Sequence, residues 1–344
     1  MAHALLSPSG SSRWMACPPS ARLEATFEDP GSSYAAEGTL AHQLAEVLCR
    51  HMDGQISVQE MVDRVDELGK SQYFDADMWE HVTAYTGYVQ EFLAEARATT
   101  PDAILDVESQ LDLNEWIPDS FGTADAIIVS DGSLHVMDFK YGKGVAVQAE
   151  NNKQVMIYGL GALEKYDFLF DLHTVRLTIY QPRLDIISTW ELSVPDLRQW
   201  AETELKQKAR LAYEGGGEFS AGDHCRFCRA KVSCRERAEE NLRLARYDFQ
   251  EGPLLTDAEI GDILQAAGNL KTWADDISAY ALQRALSGVK YNGWKVVEGR
   301  SNRIFTDESA AETVLESIYK PETDKRPEWT SNTSAIIDFQ GVSA

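Results

Sequence analysis

Residues 122–140 read GTADAIIVSDGSLHVMDFK, and this stretch decides the fold. Two runs rich in β-branched and aliphatic residues, 122–130 and 134–140, flank Asp131-Gly132, a pair that favours a tight hairpin turn. In the tripeptide Asp138-Phe139-Lys140, residues i and i+2 point to the same face of a strand. A carboxylate and an ammonium therefore project side by side, with Asp125 close by across the hairpin. Two hard oxygen ligands suit Mg²⁺ or Mn²⁺, while a neighbouring lysine orients an attacking water and offsets charge developing on a phosphate. Asp-x-Lys alone is too common to signal anything. Its combination with Asp125, a hairpin and a following helix that bears Gln154 and Tyr158 is more specific. Plainer uses stay open: Asp125 as a strand end or turn cap, and Lys140 as a surface lysine beside Tyr141-Gly142-Lys143-Gly144.

Strand and helix patterns extend outward from the hairpin. A strand is expected at 103–111, a helix at 152–165, strands at 175–181 and 186–192, and a helix at 194–213 that stops at Gly215-Gly216-Gly217. Strands interleaved with helices predict an α/β protein with a mixed central sheet flanked by helices. Upstream, Thr39 is placed to cap a helix whose apolar stripe is Leu40, Leu44, Val47 and Leu48. His42, Glu46 and Cys49 share one face of it by their i, i+4, i+7 spacing. A second helix is expected over 75–98. Residues 1–35 are rich in Ser, Pro and Gly and read as irregular, with a short helix near 11–14. Beyond 246, helices at 256–267 and 270–286 and a strand at 293–298 make a mostly helical accessory region, followed by a loose tail of twenty residues. The expected organisation is one domain over 1–246 and an accessory region over 247–344.

Four cysteines form a split set. Cys225, Cys228 and Cys234 put three thiols on one short loop, and Cys17, far upstream, is the candidate fourth ligand. Four thiolates suit a tetrahedral Zn²⁺ as well as a [4Fe–4S] cluster, and spacing does not separate them. Either would tie the N-terminal segment to a distant loop. Cys49 lies outside this spacing and reads as a buried thiol.

Composition narrows the function classes. The chain has 344 residues, 44% hydrophobic and 25% charged, with a formal net charge of −23. That charge argues against sequence-blind coating of nucleic acid, though not against an enzyme that grips DNA in one channel. From His224 to Arg246 seven basic residues face three acids, so Arg226, Arg229 and Lys231 are candidate phosphate contacts, or else part of a solvated helix face. No apolar run spans a bilayer and no signal peptide is visible. With five cysteines and no secreted disulfide pattern, a cytoplasmic protein is expected.

These residues resemble the PD-(D/E)XK nuclease superfamily, in particular its RecB-like branch with an iron–sulfur staple. The similarity covers roughly residues 10–240 and is similar to CRISPR-adaptation exonucleases and the nuclease domains of helicase–nuclease complexes. By that resemblance His42, Asp125, Asp138 and the backbone carbonyl of Phe139 bind one or two Mg²⁺ or Mn²⁺ ions. Lys140 positions the water, with Asp138 standing where Glu is commoner, and Gln154 and Tyr158 orient the lysine or the strand. Cys17, Cys225, Cys228 and Cys234 hold a [4Fe–4S] cluster. The plainer readings are a packed core histidine at 42 and ordinary helix packing at 154 and 158. Glu46 is the fallback ligand, and Glu108 is either a further active-site acid or a cross-strand surface charge.

The resemblance implies a DNA exonuclease acting on single-stranded or duplex ends in phage recombination or DNA processing. It would work in the cytoplasm of a bacterial host, with a phage single-strand-binding or annealing protein as partner and no membrane association. A non-cleaving single-stranded DNA clamp and an iron–sulfur electron carrier are the rival classes.

Overall fold

The computed structural model describes residues 4–28, 31, 33–243, 257–297 and 336–339. Two short helices, α1 (Ser11–Ala16) and α2 (Ser20–Glu24), precede the long α3 (Ser33–Met52). Thr39 does not cap α3. It lies inside the helix, and its hydroxyl donates to the Ala35 carbonyl at 2.9 Å. Next comes α4 (Val58–Leu68), which opens on a Ser57 side-chain cap and has no fully buried residue. The sequence reading did not include it, although Val58, Met61, Val62, Val65 and Leu68 recur at helical spacing. The expected second helix is α5 (Ala76–Thr99), started by the Asp75 carboxylate accepting from the Met78 N–H at 2.7 Å.

The strands β1 (Ile104–Asp112), β2 (Phe121–Ser130) and β3 (Gly132–Phe139) form an antiparallel meander. Gly132 takes φ +79° in the turn, a left-handed conformation that costs glycine little. Helix α6 (Lys153–Tyr166) crosses one face and returns the chain as β4 (Leu172–Gln181), parallel to β3. β5 (Ile186–Ser193) completes the sheet antiparallel to β4. The helical run that follows comprises α7 (Val194–Trp200), one π turn at 201–205 and α8 (Lys206–Glu214), and stops at Gly215 with φ +75°. The sheet order β1-β2-β3-β4-β5 is the mixed, helix-flanked α/β arrangement that the sequence predicts.

Both faces of the sheet are covered. Ile127, Val129, Leu134 and Val136 pack with α6 on one side, while Ala126, Ile128, Met137 and Phe139 pack with α3 and α5 on the other. The unbroken apolar run Ala-Ile-Ile-Val in β2 follows from this double burial.

The chain divides into two compact units, Met1–Arg237 and Ala238–Ala344. Helix α9 (Arg235–Arg243) runs across that division. The expected boundary at 246 lies outside the described residues, as do Arg246, Thr256 and Glu298. In the second unit, the two expected helices are one, α10 (Asp257–Leu286), which runs through Gly268 and Asn269. β6 (Trp294–Val297) pairs antiparallel with β7 (Ile336–Phe339), a strand placed within the tail expected to be loose. Among the described residues no helix is long and apolar enough to cross a membrane.

Helix α6 lies so close to β1 that Gly161 has no room for a side chain. A Cβ there would sit 2.8 Å from Leu113 Cδ2 and 2.9 Å from Leu111 Cβ, whereas Gly87 on α5 meets nothing within 4 Å. One substitution should therefore act with opposite signs. Gly161→Ala should cost on the order of 1–2 kcal/mol through overpacking, while Gly87→Ala should stabilise by up to about 1 kcal/mol through helix propensity. Thermal unfolding of both variants checks this, and equal shifts would contradict the close approach.

Candidate active site

The site forms where the β1–β2 ladder opens. Val107 pairs with Ala126 and Ser109 with Ala124, yet Glu108 and Asp125 between them form no pair. The register is the same on both sides, so nothing is inserted and a single opposed pair is released. Both strands change faces at this point. Val107 and Ala126 pack with α3 and α5, whereas Ala124 and Leu111 join the core under α6. Glu108 carries the distortion with φ +51°, a left-handed conformation that costs a non-glycine residue on the order of 1–3 kcal/mol.

Helix α3 brings His42 to this opening. His42 Nδ1 lies 3.0 Å from Asp125 Oδ1 and 3.9 Å from Glu108 Oε1. One ligand atom from each of His42, Glu108 and Asp125 lies within 4.8 Å of the other two. The second Asp125 oxygen accepts the Phe139 N–H at 2.6 Å. Phe139, whose carbonyl belongs to the expected ligand set, is fully buried and stacks on Tyr85 at 4.6 Å between ring centroids.

A second network lies on the α6 side. Lys140 Nζ is 2.9 Å from Asp138 Oδ2 and donates to Gln154 Oε1 at 3.0 Å. Gln154 Nε2 donates to Asp138 Oδ1 and to the Tyr158 hydroxyl, each at 3.1 Å. Asn152 caps α6 and so fixes Gln154 at its first turn. These contacts hold the ammonium between one carboxylate and one amide oxygen. The close set therefore pairs His42 and Asp125 with Glu108, while Asp138 is engaged by Lys140 and Gln154.

The electrostatics follow from crowding. Burial disfavours a charged His42, but Asp125, by charge and hydrogen bond, together with Asp138 and Glu108 raises the imidazolium pKa to about 9. Burial and then repulsion by Asp125 push Glu108 up to about 7. Burial would raise Asp125, but His42, the Phe139 N–H and Lys140 together hold it below the usual carboxylate range. Asp138 is raised, with burial the largest cause and Lys140 opposing it. Tyr158 is raised by burial and by the nearby aspartates.

Two residues needed more than the sequence. Glu108 was equally readable as a surface charge, because only the register sets it opposite Asp125. Gly122 went unnoticed as well. A Cβ there would lie 2.8 Å from both Tyr158 Cε1 and Pro8 Cγ, so glycine lets the tyrosine ring reach the strand. Glu46, the fallback ligand, is tied to Arg50 at 3.0 Å and Arg64 at 3.6 Å. Cys49 is buried against Thr86, with its pKa pushed up to about 12 chiefly by burial.

All four cysteines of the split set line one small pocket together with Arg13, His224, Lys231 and Arg237. Cys17 follows α1, and its Sγ accepts the Ser220 N–H at 3.5 Å. Burial, and then Glu24, raise Cys228 to about 11, so its thiol must lose a proton to bind a metal. Of the candidate phosphate contacts, Arg226 is exposed with its guanidinium 5.6 Å from the centroid of the Phe227 ring. Arg229 is turned toward α2, where its N–H donates to Glu24 at 2.8 Å and its guanidinium to the Phe27 carbonyl at 3.4 Å. Lys231 faces the cysteine pocket.

The donor set of one imidazole and two carboxylates fits Mg²⁺ or Mn²⁺, and the nitrogen ligand favours Mn²⁺. A bound cation would displace the protons that His42 and Glu108 hold. Without metal, both groups have folded-state pKa values above their ordinary ones, so both favour the folded state at low pH. That contribution should fall as pH rises from about 4.5 to about 7 for Glu108, and from about 6.5 to about 9 for His42. Mn²⁺ affinity, followed by calorimetry, should rise across pH 6–9 with proton release. Glu108→Gln should weaken it and remove the lower-pH part of the dependence. A pH-independent affinity would exclude this trio as the metal site.

A solved structure titled "Crystal structure of SSO0001" is similar at 17% identity over 56% of this chain and 85% of that chain, with a TM-score of 0.26. At that score the likeness carries no argument. The family described as "Protein of unknown function (DUF2800)" matches residues 3–328, nearly the whole length, and the chain therefore belongs to the DUF2800 family.

Proposed function

We propose that this chain is a divalent-metal-dependent deoxyribonuclease of the PD-(D/E)XK, RecB-like type that trims DNA strand ends. The observation that carries this reading is the closure of His42, Glu108 and Asp125 to within 4.8 Å, beside a lysine held by Asp138 and Gln154. A Mg²⁺ or Mn²⁺ ion held by that trio supplies Lewis-acid polarisation of a phosphate oxygen. Asp138 and Gln154 restrain the Lys140 ammonium, which then orients water and offsets negative charge on the phosphate. Tyr158 restrains Gln154 in turn. A clamp that only binds DNA has no use for a left-handed glutamate held beside Asp125 and His42. An electron carrier has no use for the Lys140 network.

The cysteine pocket, in the same reading, holds a [4Fe–4S] cluster that fastens the N-terminal segment to the loop at 225–234. Its cationic lining of Arg13, Lys231 and Arg237 offsets the negative charge of four thiolates around a cluster. The exposed Arg226–Phe227 pair beside it is suited to a phosphate and a base. A phage strand-binding or annealing protein is the partner class this activity would serve.

Asp125→Ala, Asp138→Ala, Lys140→Ala and Glu108→Gln should each slow metal-dependent digestion of end-labelled DNA by roughly 10²-fold or more, with circular dichroism unchanged. Glu46→Gln should cut nearly normally. Wild-type cleavage by a folded Asp125/Asp138/Lys140 triple-alanine protein would refute the nuclease reading, and strand binding without any cleavage by the native chain would favour the clamp.

Protein purified without oxygen should be brown. Cys17→Ser should bleach it as fully as Cys228→Ser, while Cys49→Ser should leave the colour intact. A colourless native protein carrying one equivalent of zinc would assign the pocket to a structural metal instead.

A further inference from the structure

Between Lys140 and Gln154 the chain makes an excursion that begins and ends in the candidate site. The two side chains meet at 3.0 Å, so residues 141–151 leave the end of β3 and return to the same point at the start of α6. A surface loop whose ends are this close has the form of an Ω-loop, a class that frequently carries function.

Both limbs of the loop are held. Tyr141 is buried, with its ring 5.9 Å from that of His81 on α5 and 6.1 Å from that of Phe139, and the Arg183 guanidinium lies over it at 4.8 Å. On the returning limb, the buried Gln181 at the end of β4 accepts the Val147 N–H at 2.7 Å and donates to the Val145 carbonyl at 2.9 Å. Ser188 on β5 accepts the Ala149 N–H at 2.9 Å. Between the limbs, Gly142, Lys143 and Gly144 are exposed, and a Cβ at either glycine would meet nothing within 4 Å. The tip thus stands clear of the protein on a base that fixes its place.

Lys143 differs from the other cations around the site. Arg50 pairs with Glu46, Lys153 with Glu204, Lys165 with Asp106 and Arg183 with Glu37, while Lys140 is held by Asp138 and Gln154. Among the described residues the Lys143 ammonium has no carboxylate partner. In a chain of net charge −23, it is the cation at the site still available to an incoming anion. Three residues span at most about 11 Å, so Lys143 and Lys140 are close enough to serve one strand.

We infer that the loop 141–151 is the phosphate-gripping rim of the site, with Lys143 holding a backbone phosphate of the substrate next to the one that Lys140 serves. The choice of a DNA strand as the source of that phosphate rests on the nuclease reading above. A phosphate away from the reacting centre is held alike in the ground state and the transition state, so Lys143 contributes to binding rather than to the chemical step.

The test uses the full chain and a fluorescein-labelled single-stranded thymidine 20-mer, with no divalent metal so that nothing is cut, and follows anisotropy across a salt series. Lys143→Gln should weaken binding and lower the salt slope by roughly 0.7, the share of one phosphate on a single strand. Lys143→Arg should keep the slope, and Lys271→Gln, at an exposed position on α10, should leave it unchanged. With Mn²⁺ present, Lys143→Gln should raise KM and leave kcat as it was, whereas Lys140→Gln should lower kcat. A Lys143→Gln protein with wild-type affinity and salt slope would overturn the inference, reducing Lys143 to a solvated tip. A fall in kcat at unchanged KM would also overturn it, because Lys143 would then act on the chemical step. Loss of the nuclease reading is a separate result, seen as absent hydrolysis with metal while the salt slope of strand binding still depends on Lys143.

Discussion

Between Val107↔Ala126 and Ser109↔Ala124 the β1–β2 ladder releases a single pair, Glu108 and Asp125, and the rest of the site depends on that release. In an unbroken antiparallel ladder two acids directly opposite each other would repel and would stay on one face of the sheet. Here the left-handed Glu108 and the change of face in both strands turn the two carboxylates toward His42 on α3. Asp125 also caps the Phe139 N–H on β3. The end of β3 is thereby tied to the same point that places Asp138 and Lys140 over α6. One local break thus joins groups supplied from opposite faces of the sheet.

The cost of this arrangement is visible in its protons. Three buried or half-buried carboxylates, one histidine and one lysine share a small volume. The protein meets the repulsion by holding a proton on His42 up to about pH 9 and another on Glu108 up to about pH 7. Aromatic packing around Phe139, by Tyr85 and by His42 at 5.5 Å, excludes water from beneath the site and strengthens these interactions. A divalent cation would replace those protons with a fixed charge in the same place.

The cysteine pocket is braced independently of any metal. Arg13 pairs with Glu24 at 2.6 Å, and the other Glu24 oxygen accepts the Arg229 N–H, so α1 and α2 already meet the loop that follows Cys228. Arg22 on α2 donates to the Tyr213 carbonyl at the end of α8 at 2.8 Å. The Glu24–Arg229 and Arg22–Tyr213 bonds cross about two hundred positions of chain, and a cluster or metal would reinforce a closure that the polar contacts already make.

The sequence by itself determined the hairpin, the α/β class, the Asn152-started helix that carries Gln154 and Tyr158, and the pairing of Asp138 with Lys140. Each of these rests on local rules: turn chemistry at Asp131-Gly132, a side-chain period of two in strands, and helical periodicity. It also placed His42 on the correct helix face, since 3.6-residue periodicity needs no partner to be read. The tertiary structure alone decided the role of Glu108, because the alternation Leu105, Val107, Ser109, Leu111 looks continuous although the strand changes faces within it. The same holds for Glu46, which Arg50 and Arg64 take away from the site, and for Gly122, whose missing side chain admits Tyr158. These outcomes depend on which residues meet across distant segments, and a periodicity within one segment carries no record of the other.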